Sequence, residues 1–236
     1  MKKYLPFVII IVVLASAVGA SFMLLKGRGK STANSNSTFA TTLPVTGASP
    51  AANQSPADTA GLTRPKVKVS SPVVLEEYGD YQCPPCGQLY PELKQIEAEY
   101  GDQVQIVFHH FPLMKIHKNA LLAAHAAEAA RNQNKFWEMH DKLYRNQKDW
   151  SELADPKPVF ESYARQLNLK LDRFNDDLQS NLIDQKISAD MQRGQSLGVT
   201  GTPTVFLDSH LLRYEATNAE GLRRGINILL ERKAGS

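Results

Sequence analysis

Val73-Val74-Leu75-Glu76-Glu77-Tyr78-Gly79-Asp80-Tyr81-Gln82-Cys83-Pro84-Pro85-Cys86 runs from an apolar, β-branched segment into a pair of cysteines. The apolar run followed by Tyr78 predicts a buried strand. From Pro84 to Tyr100, Leu89, Leu93, Ile96 and Tyr100 share one helical face. The cysteines therefore fall at a strand-to-helix junction, where unsatisfied backbone N–H groups and the positive end of the helix dipole favour a negative sulfur. Pro84 suits the first helical position, because its missing N–H is not needed there and its φ is already helical. Cys86, on the same face, is within reach of Cys83 for a disulfide. Disulfide exchange needs an attacking thiolate, a resolving thiol and access for a substrate. Cys83 is assigned as the attacking thiol and Cys86 as the buried resolving thiol. With proline at both 84 and 85, neither residue can donate an N–H to the Cys83 sulfur, which leaves mainly the Cys86 amide and the dipole. Cys83 is therefore expected to be acidified, but less than where a histidine or a free amide sits inside the motif.

Cys83 and Cys86 are the only 2 cysteines in the 236-residue chain, so any disulfide joins near neighbours and cannot staple distant parts of the fold. A lone Cys-x-x-Cys can also be half of a zinc site, but such sites usually need four ligands. No second pair occurs, and none of the 6 histidines has metal-ligand spacing. His109-His110 ends a strand, and His125 and His140 fall in amphipathic helices, where packing or surface roles suffice. Neither a metal nor another cofactor is expected.

Working outward, Val104, Ile106 and Phe108 alternate as a second strand. Residues 116 to 196 read as helical throughout, with seven alanines between Ala120 and Ala130 and with Phe136, Met139, His140 and Leu143 at helical spacing. Strand character returns at Thr204-Val205-Phe206-Leu207, with a hairpin partner through Leu211 to Tyr214. The capping box Thr217-Asn218-Ala219-Glu220 then opens a last helix. The order is strand, helix, strand, helical block, two strands, helix: an α/β sheet interrupted by an inserted helical subdomain.

The folded domain is expected to span 66–236. Before it, Leu5 to Leu25 is an uncharged stretch that as a helix would span roughly 31 Å, about the thickness of bilayer hydrocarbon. Residues 1–25 read as a transmembrane anchor or, with Lys2-Lys3 and Val18-Gly19-Ala20, as a cleaved signal peptide. The continuation through Phe22-Met23-Leu24-Leu25 favours the anchor. Residues 26–65 read as a flexible linker: from Ser31 to Ala60, 25 of 30 residues are Ser, Thr, Ala, Asn, Gly or Pro. The net charge of +3 owes much to Lys2, Lys3, Lys26, Arg28 and Lys30 around the apolar run. No basic stripe points to nucleic acid.

Glu77-Tyr78-Gly79-Asp80-Tyr81-Gln82-Cys83-Pro84-Pro85-Cys86 resembles the active-site stretch of the DsbA-like thiol-disulfide oxidoreductases. Further matches are Phe111-Pro112-Leu113, the alanine-rich helix around Ala123 to Ala130, Lys135-Phe136-Trp137-Glu138-Met139-His140-Asp141 and Gly198-Val199-Thr200-Gly201-Thr202-Pro203-Thr204. The resemblance covers roughly Pro72 to Leu230 and implies a thioredoxin-like fold with a helical insertion. It also implies a cis peptide at Pro203 facing the cysteines, with Thr202 presenting backbone groups to a substrate peptide. The residues alone equally allow a trans turn entering a strand. Glu77 matches the family's buried carboxylate, whose implied role is to exchange the Cys86 proton. Glu76 is the alternative: adjacent residues on a strand face opposite ways, so only one of the two can point at the thiols. Two departures stand out: Pro-Pro replaces the Pro-His of the strongest oxidants, and the insert lacks the extra cysteine pair of some relatives.

The function this implies is the introduction of disulfides into reduced, exported proteins. A membrane-embedded, quinone-linked partner would reoxidise the pair, and the catalytic domain would be monomeric on the extracytoplasmic (periplasmic) side of a single-pass cell-membrane anchor. The alternatives are a soluble periplasmic form after signal cleavage, a reductase or isomerase kept reduced by a membrane electron donor, and a metal-binding module.

Overall fold

The computed structural model describes residues 62–63 and 71–235. The expected membrane segment at 1–25 lies outside the described residues, as does the expected linker apart from Leu62–Thr63. Among the described residues no helix is long and apolar enough to cross a membrane.

Among the described residues a sheet of 5 strands has the order β1-β3-β2-β4-β5. Its strands are β1 (Leu62–Thr63), β2 (Val73–Gly79), β3 (Val104–His110), β4 (Thr204–Leu207) and β5 (His210–Leu211). β2 and β3 are parallel, with Glu77 opposite Phe108, and are joined through α1 (Pro84–Tyr100). β4 lies antiparallel to β2, with Val205 opposite Glu77. β1 pairs with β3 inside the stretch read as linker. An edge strand of this kind is held by main-chain bonds and needs no apolar pattern to announce it.

Alternation along the strands sorts the core into two faces. Val73, Leu75, Val104, Ile106, Val205 and Leu207 pack against Leu89, Leu93 and Ile96 of α1 and against Leu222 and Ile226 of α8 (Ala219–Ala234). Tyr78 and Phe206 face the other way, with Phe111 and Val199.

Between β3 and β4 stand six helices: α2 (Ala120–Arg131), α3 (Phe136–Arg145), α4 (Gln147–Trp150), α5 (Lys157–Gln166), α6 (Leu171–Asp177) and α7 (Asn181–Ser196). The helical block thus opens at Ala120, four residues later than expected, because residues 111–119 form a turn-rich connection. Buried Ala123, Ala126, Ala127 and Ala130 let neighbouring helices approach α2 closely. Trp150, fully buried, anchors the block, and its Nε1 donates to Leu143 O at 2.9 Å.

Two local readings are corrected. The hairpin after β4 is shorter than the Leu211-to-Tyr214 span, and Tyr214 instead opens a 3-10 turn, Tyr214–Ala216. The last helix is capped by Asn218, whose side chain accepts from Gly221 N at 3.0 Å, so the cap sits one residue beyond Thr217. A short side chain with an oxygen acceptor at either position satisfies the capping pattern, and the register is decided by where α8 meets the sheet.

Candidate active site

β2 ends at Gly79 and the chain turns through Asp80-Tyr81-Gln82 into α1, with Cys83 as the N-cap and Pro84 at the helix start. Cys83 N donates to Asp80 O at 3.1 Å, and Gly87 N donates to Cys83 O at 3.1 Å. The Asp80 carboxylate fixes this turn by accepting from Gln82 N at 2.7 Å and from Leu113 N at 2.9 Å. Both cysteines are free thiols. Cys86 is fully buried and Cys83 is only 4% exposed, so the accessible sulfur of the expectation is a recessed one, beside an exposed Pro84.

The Thr202-Pro203 peptide is cis. It lies just before β4, which pairs with β2, and this brings the loop to the cysteines across 119 residues: the Cys83 thiol donates to Thr202 O at 3.3 Å. The Thr202 hydroxyl is buried without a protein partner and close enough to Cys83 to favour its ionised form. Loss of the proton breaks the bond to the carbonyl and leaves this hydroxyl to donate instead.

The two sulfurs are pulled apart electrostatically. Cys83 is lowered from 9.0 to about 6, first by the hydrogen bond from the Cys86 thiol, against the opposing effect of burial, and further by Thr202 and the Cys86 amide. Asp80 works against this with its charge. Burial pushes Cys86 well above 9.0, and the donated bond to Cys83 and the Glu77 carboxylate push it further. The residues point to the Cys86 amide and the helix dipole as what favours a charge on Cys83; the Cys86 thiol and Thr202 contribute more than that amide. Neither is visible as a helix-start effect, because both depend on side-chain placement.

Glu76 and Glu77 point to opposite faces, as alternation requires. Glu77 is buried on the Cys86 side and lines a cavity of about 10 Å³, room for one water, with Tyr90, Lys94, Glu97 and His140. Glu76 faces α7, where it takes His109 Nε2 at 3.3 Å and Arg193 Nη2 at 3.1 Å. His109 Nδ1 in turn meets Asp190 at 3.5 Å. Among the described residues no group of three or more His, Cys, Asp or Glu side chains could hold a metal ion.

Several residues of the site had no sequence signal of their own. Gln147 Nε2 donates to Tyr81 O and to Cys83 O. Gln82 Oε1 accepts from Asn119 N at 2.7 Å, and its Nε2 donates to Ser151 O at 2.6 Å. His117 reaches Asp80. All three contacts tie the active-site turn to residues between β3 and β4.

A family profile described as thioredoxin matches residues 68–227. Among curated relatives, the Na(+)/H(+) antiporter NhaA 3 of Salinispora tropica is 38% identical over 138 residues, which cover 58% of this chain and 20% of that protein. The chain thus spans about a fifth of the length of the antiporter relatives it matches. The probable disulfide bond formation protein D of Bacillus cereus is 36% identical over 152 residues, covering 61% of this chain and 69% of that one. The crystal structure of BdbD from Bacillus subtilis superposes with a TM-score of 0.64 at 21% identity, over 73% of this chain and 94% of the other, a likeness of fold. With its cysteines at the helix start, its cis-proline loop against them and a helical block between β3 and β4, the chain belongs to the thioredoxin family, among the DsbA-like thiol-disulfide oxidoreductases.

Proposed function

We propose that this chain is a disulfide oxidase that acts on reduced, exported proteins. The observation that carries the reading is the unlike setting of the two sulfurs: Cys83 at the helix start against Thr202-Pro203, and Cys86 buried beneath it beside Glu77. A substrate thiolate attacks Cys83 Sγ of the Cys83–Cys86 disulfide. A substrate–Cys83 bond forms, and Cys86 leaves with the electron pair and takes a proton, with Glu77 as its donor. A second substrate thiolate then attacks the substrate sulfur of the mixed disulfide, and Cys83 leaves as a thiolate. The substrate has lost two electrons and two protons; one proton ends on Cys86, with Glu77 recharged from solvent, and the other is released. The acidity of Cys83 makes it a good leaving group and stabilises the reduced form, and both effects favour oxidation of the substrate. Run backward, the same atoms reduce a disulfide, with Cys83 attacking and Cys86 resolving.

Thr202 and Pro203 hold the substrate peptide through backbone groups. Residues 1–25 anchor the chain in the cell membrane, with this domain on the extracytoplasmic side, and a membrane-embedded quinone-linked partner takes the electrons from the dithiol.

Equilibration with glutathione tests the direction. The expected result is a potential well above the value of about −270 mV typical of thioredoxin. A value near that figure replaces the oxidase with a reductase kept reduced by a membrane donor.

A further inference from the structure

Asp80 is buried three residues before Cys83, and its main chain touches both cysteines. Its carbonyl accepts from Cys83 N, and its N–H favours the ionised Cys86 sulfur. Its carboxylate spends two acceptor positions on Gln82 N and Leu113 N. The third partner is different in kind: His117 Nδ1 donates to Asp80 Oδ2 at 2.7 Å, from the connection between β3 and α2. The Asp80 side chain has no exposure, whereas that of His117 is 15% exposed. A buried carboxylate in the turn that carries Cys83 opposes a charge on that sulfur unless something screens it. His117 meets that carboxylate through a side chain, whereas the other two donors are main-chain N–H groups. The other titratable groups facing Asp80 are Cys83 and Cys86 from α1 and Tyr144 from α3, none of them a cation. Glu77 precedes it on β2, and Lys115 and Lys118, both exposed, flank His117 in the connection.

We propose that the Asp80–His117 pair sets the redox equilibrium of the Cys83–Cys86 couple, with His117 screening the Asp80 charge and so sparing the Cys83 thiolate of the reduced form. Neither residue touches substrate; both are positioning residues acting through charge. The inference rests on Cys83 and Cys86 being the working couple.

The experiment is equilibration of the whole chain with reduced and oxidised glutathione, together with titration of the Cys83 thiolate by its ultraviolet absorbance. Reduction by two glutathione thiols breaks the protein disulfide and forms the glutathione disulfide. Of the two protons released, one goes to Cys86 and one to solvent, and Cys83 is left as a thiolate. His117→Gln is expected to move this equilibrium roughly three- to tenfold toward the protein disulfide and to raise the Cys83 midpoint. Asp80→Asn is expected to move both the other way, and His117→Gln added to Asp80→Asn to change neither. His117→Lys, which puts a donor back opposite the Asp80 carboxylate, is expected to return the equilibrium to within about twofold of the parent. An unmoved His117→Gln variant overturns the proposal. So does an equal His117→Gln shift with and without the Asp80 charge, or a His117→Lys variant that behaves like His117→Gln. A parent protein that does not equilibrate with glutathione refutes the oxidoreductase reading itself, whereas an equilibrating parent with an unmoved His117→Gln variant refutes only the role of His117.

Discussion

Gln147 donates through one nitrogen to two carbonyl oxygens of the active-site turn, Tyr81 O at 2.8 Å and Cys83 O at 2.9 Å. The amide packs so tightly on α1 that a Cβ at Gly87 would collide with it. Gln147 starts α4, so this contact fastens the helical insert to the turn that carries the first cysteine. Gln147→Ala leaves both carbonyls short of a donor and is expected to cost about 1–2 kcal/mol, read by urea denaturation. Gln195→Ala, at an exposed position, serves as the control. A loss at Gln147 no greater than at Gln195 would show that the turn holds without the insert.

The separation of the two sulfurs predicts a simple pH behaviour. Alkylation at neutral pH should label Cys83 and spare Cys86, with a half-maximal rate near pH 6. The lowered Cys83 value also adds stability to the reduced fold as pH rises above about 6, where the folded thiol ionises ahead of the unfolded one. That stabilisation is complete above about 9, the unfolded value, and is lost as pH falls through about 6. Cys86 acts in the opposite sense above about 9, where only the unfolded chain ionises easily. Between these limits the reduced form should gain stability with rising pH relative to the disulfide form. Parallel denaturation curves of the two forms across pH 6–9 check this, and equal slopes would contradict it.

Glu76 and Glu77 offer a paired test. Glu77→Gln is expected to slow exchange by about tenfold or more, through loss of a proton-carrying group, with little change in stability. Glu76→Gln is expected to cost roughly 3 kcal/mol, because it strips a partner from buried His109 and from Arg193, with exchange nearly unchanged. Stopped-flow exchange rates and denaturation midpoints on both variants decide the matter. Equal effects on either quantity would dissolve the division of roles.

The same network has its own pH window. The hydrogen bond from His109 leads in holding Glu76 below 4.5, so its contribution is lost as pH falls through that lowered value. Burial pulls His109 down, but its bonds to Asp190 and Glu76 prevail and raise it above 6.5. Its contribution is therefore full below 6.5 and lost as pH rises through the raised value. The clamp between the sheet and α7 is strongest from about pH 4.5 to 6.5. His109→Gln is expected to remove the fall in stability on the alkaline side of that window, as measured by thermal unfolding against pH; an unchanged profile would assign the fall elsewhere.

What could be read from the residues alone was whatever is local. Apolar alternation marked β2, β3 and β4, and Pro84 after Cys83 marked the helix start, because period and backbone restriction are properties of neighbouring residues. Strand alternation also put Glu76 and Glu77 on opposite faces, but which of them meets the thiols came from the resemblance and not from the period. The rest was decided by residues far apart in the chain. Gln147 looks like any polar residue opening a short helix, and His117 like a histidine in a loop, until folding brings them to Cys83 and Asp80. The strand at Leu62–Thr63 lies in polar, small-residue surroundings, and its pairing with Val107 and Phe108 uses main-chain groups that every residue has. The cap at Asn218 rather than Thr217 shows the same limit at the scale of one residue.

The first cysteine is made early in the chain, together with the second that acidifies it, but two of its partners come late: Gln147 on its carbonyl, from the insert, and Thr202 against its sulfur, from beyond it. A ribosome that has synthesised only as far as β3 has produced the cysteine pair and its neighbouring bonds without the loop that faces the sulfur. The surroundings of Cys83 are completed only when Thr202, translated more than a hundred residues later, docks against it.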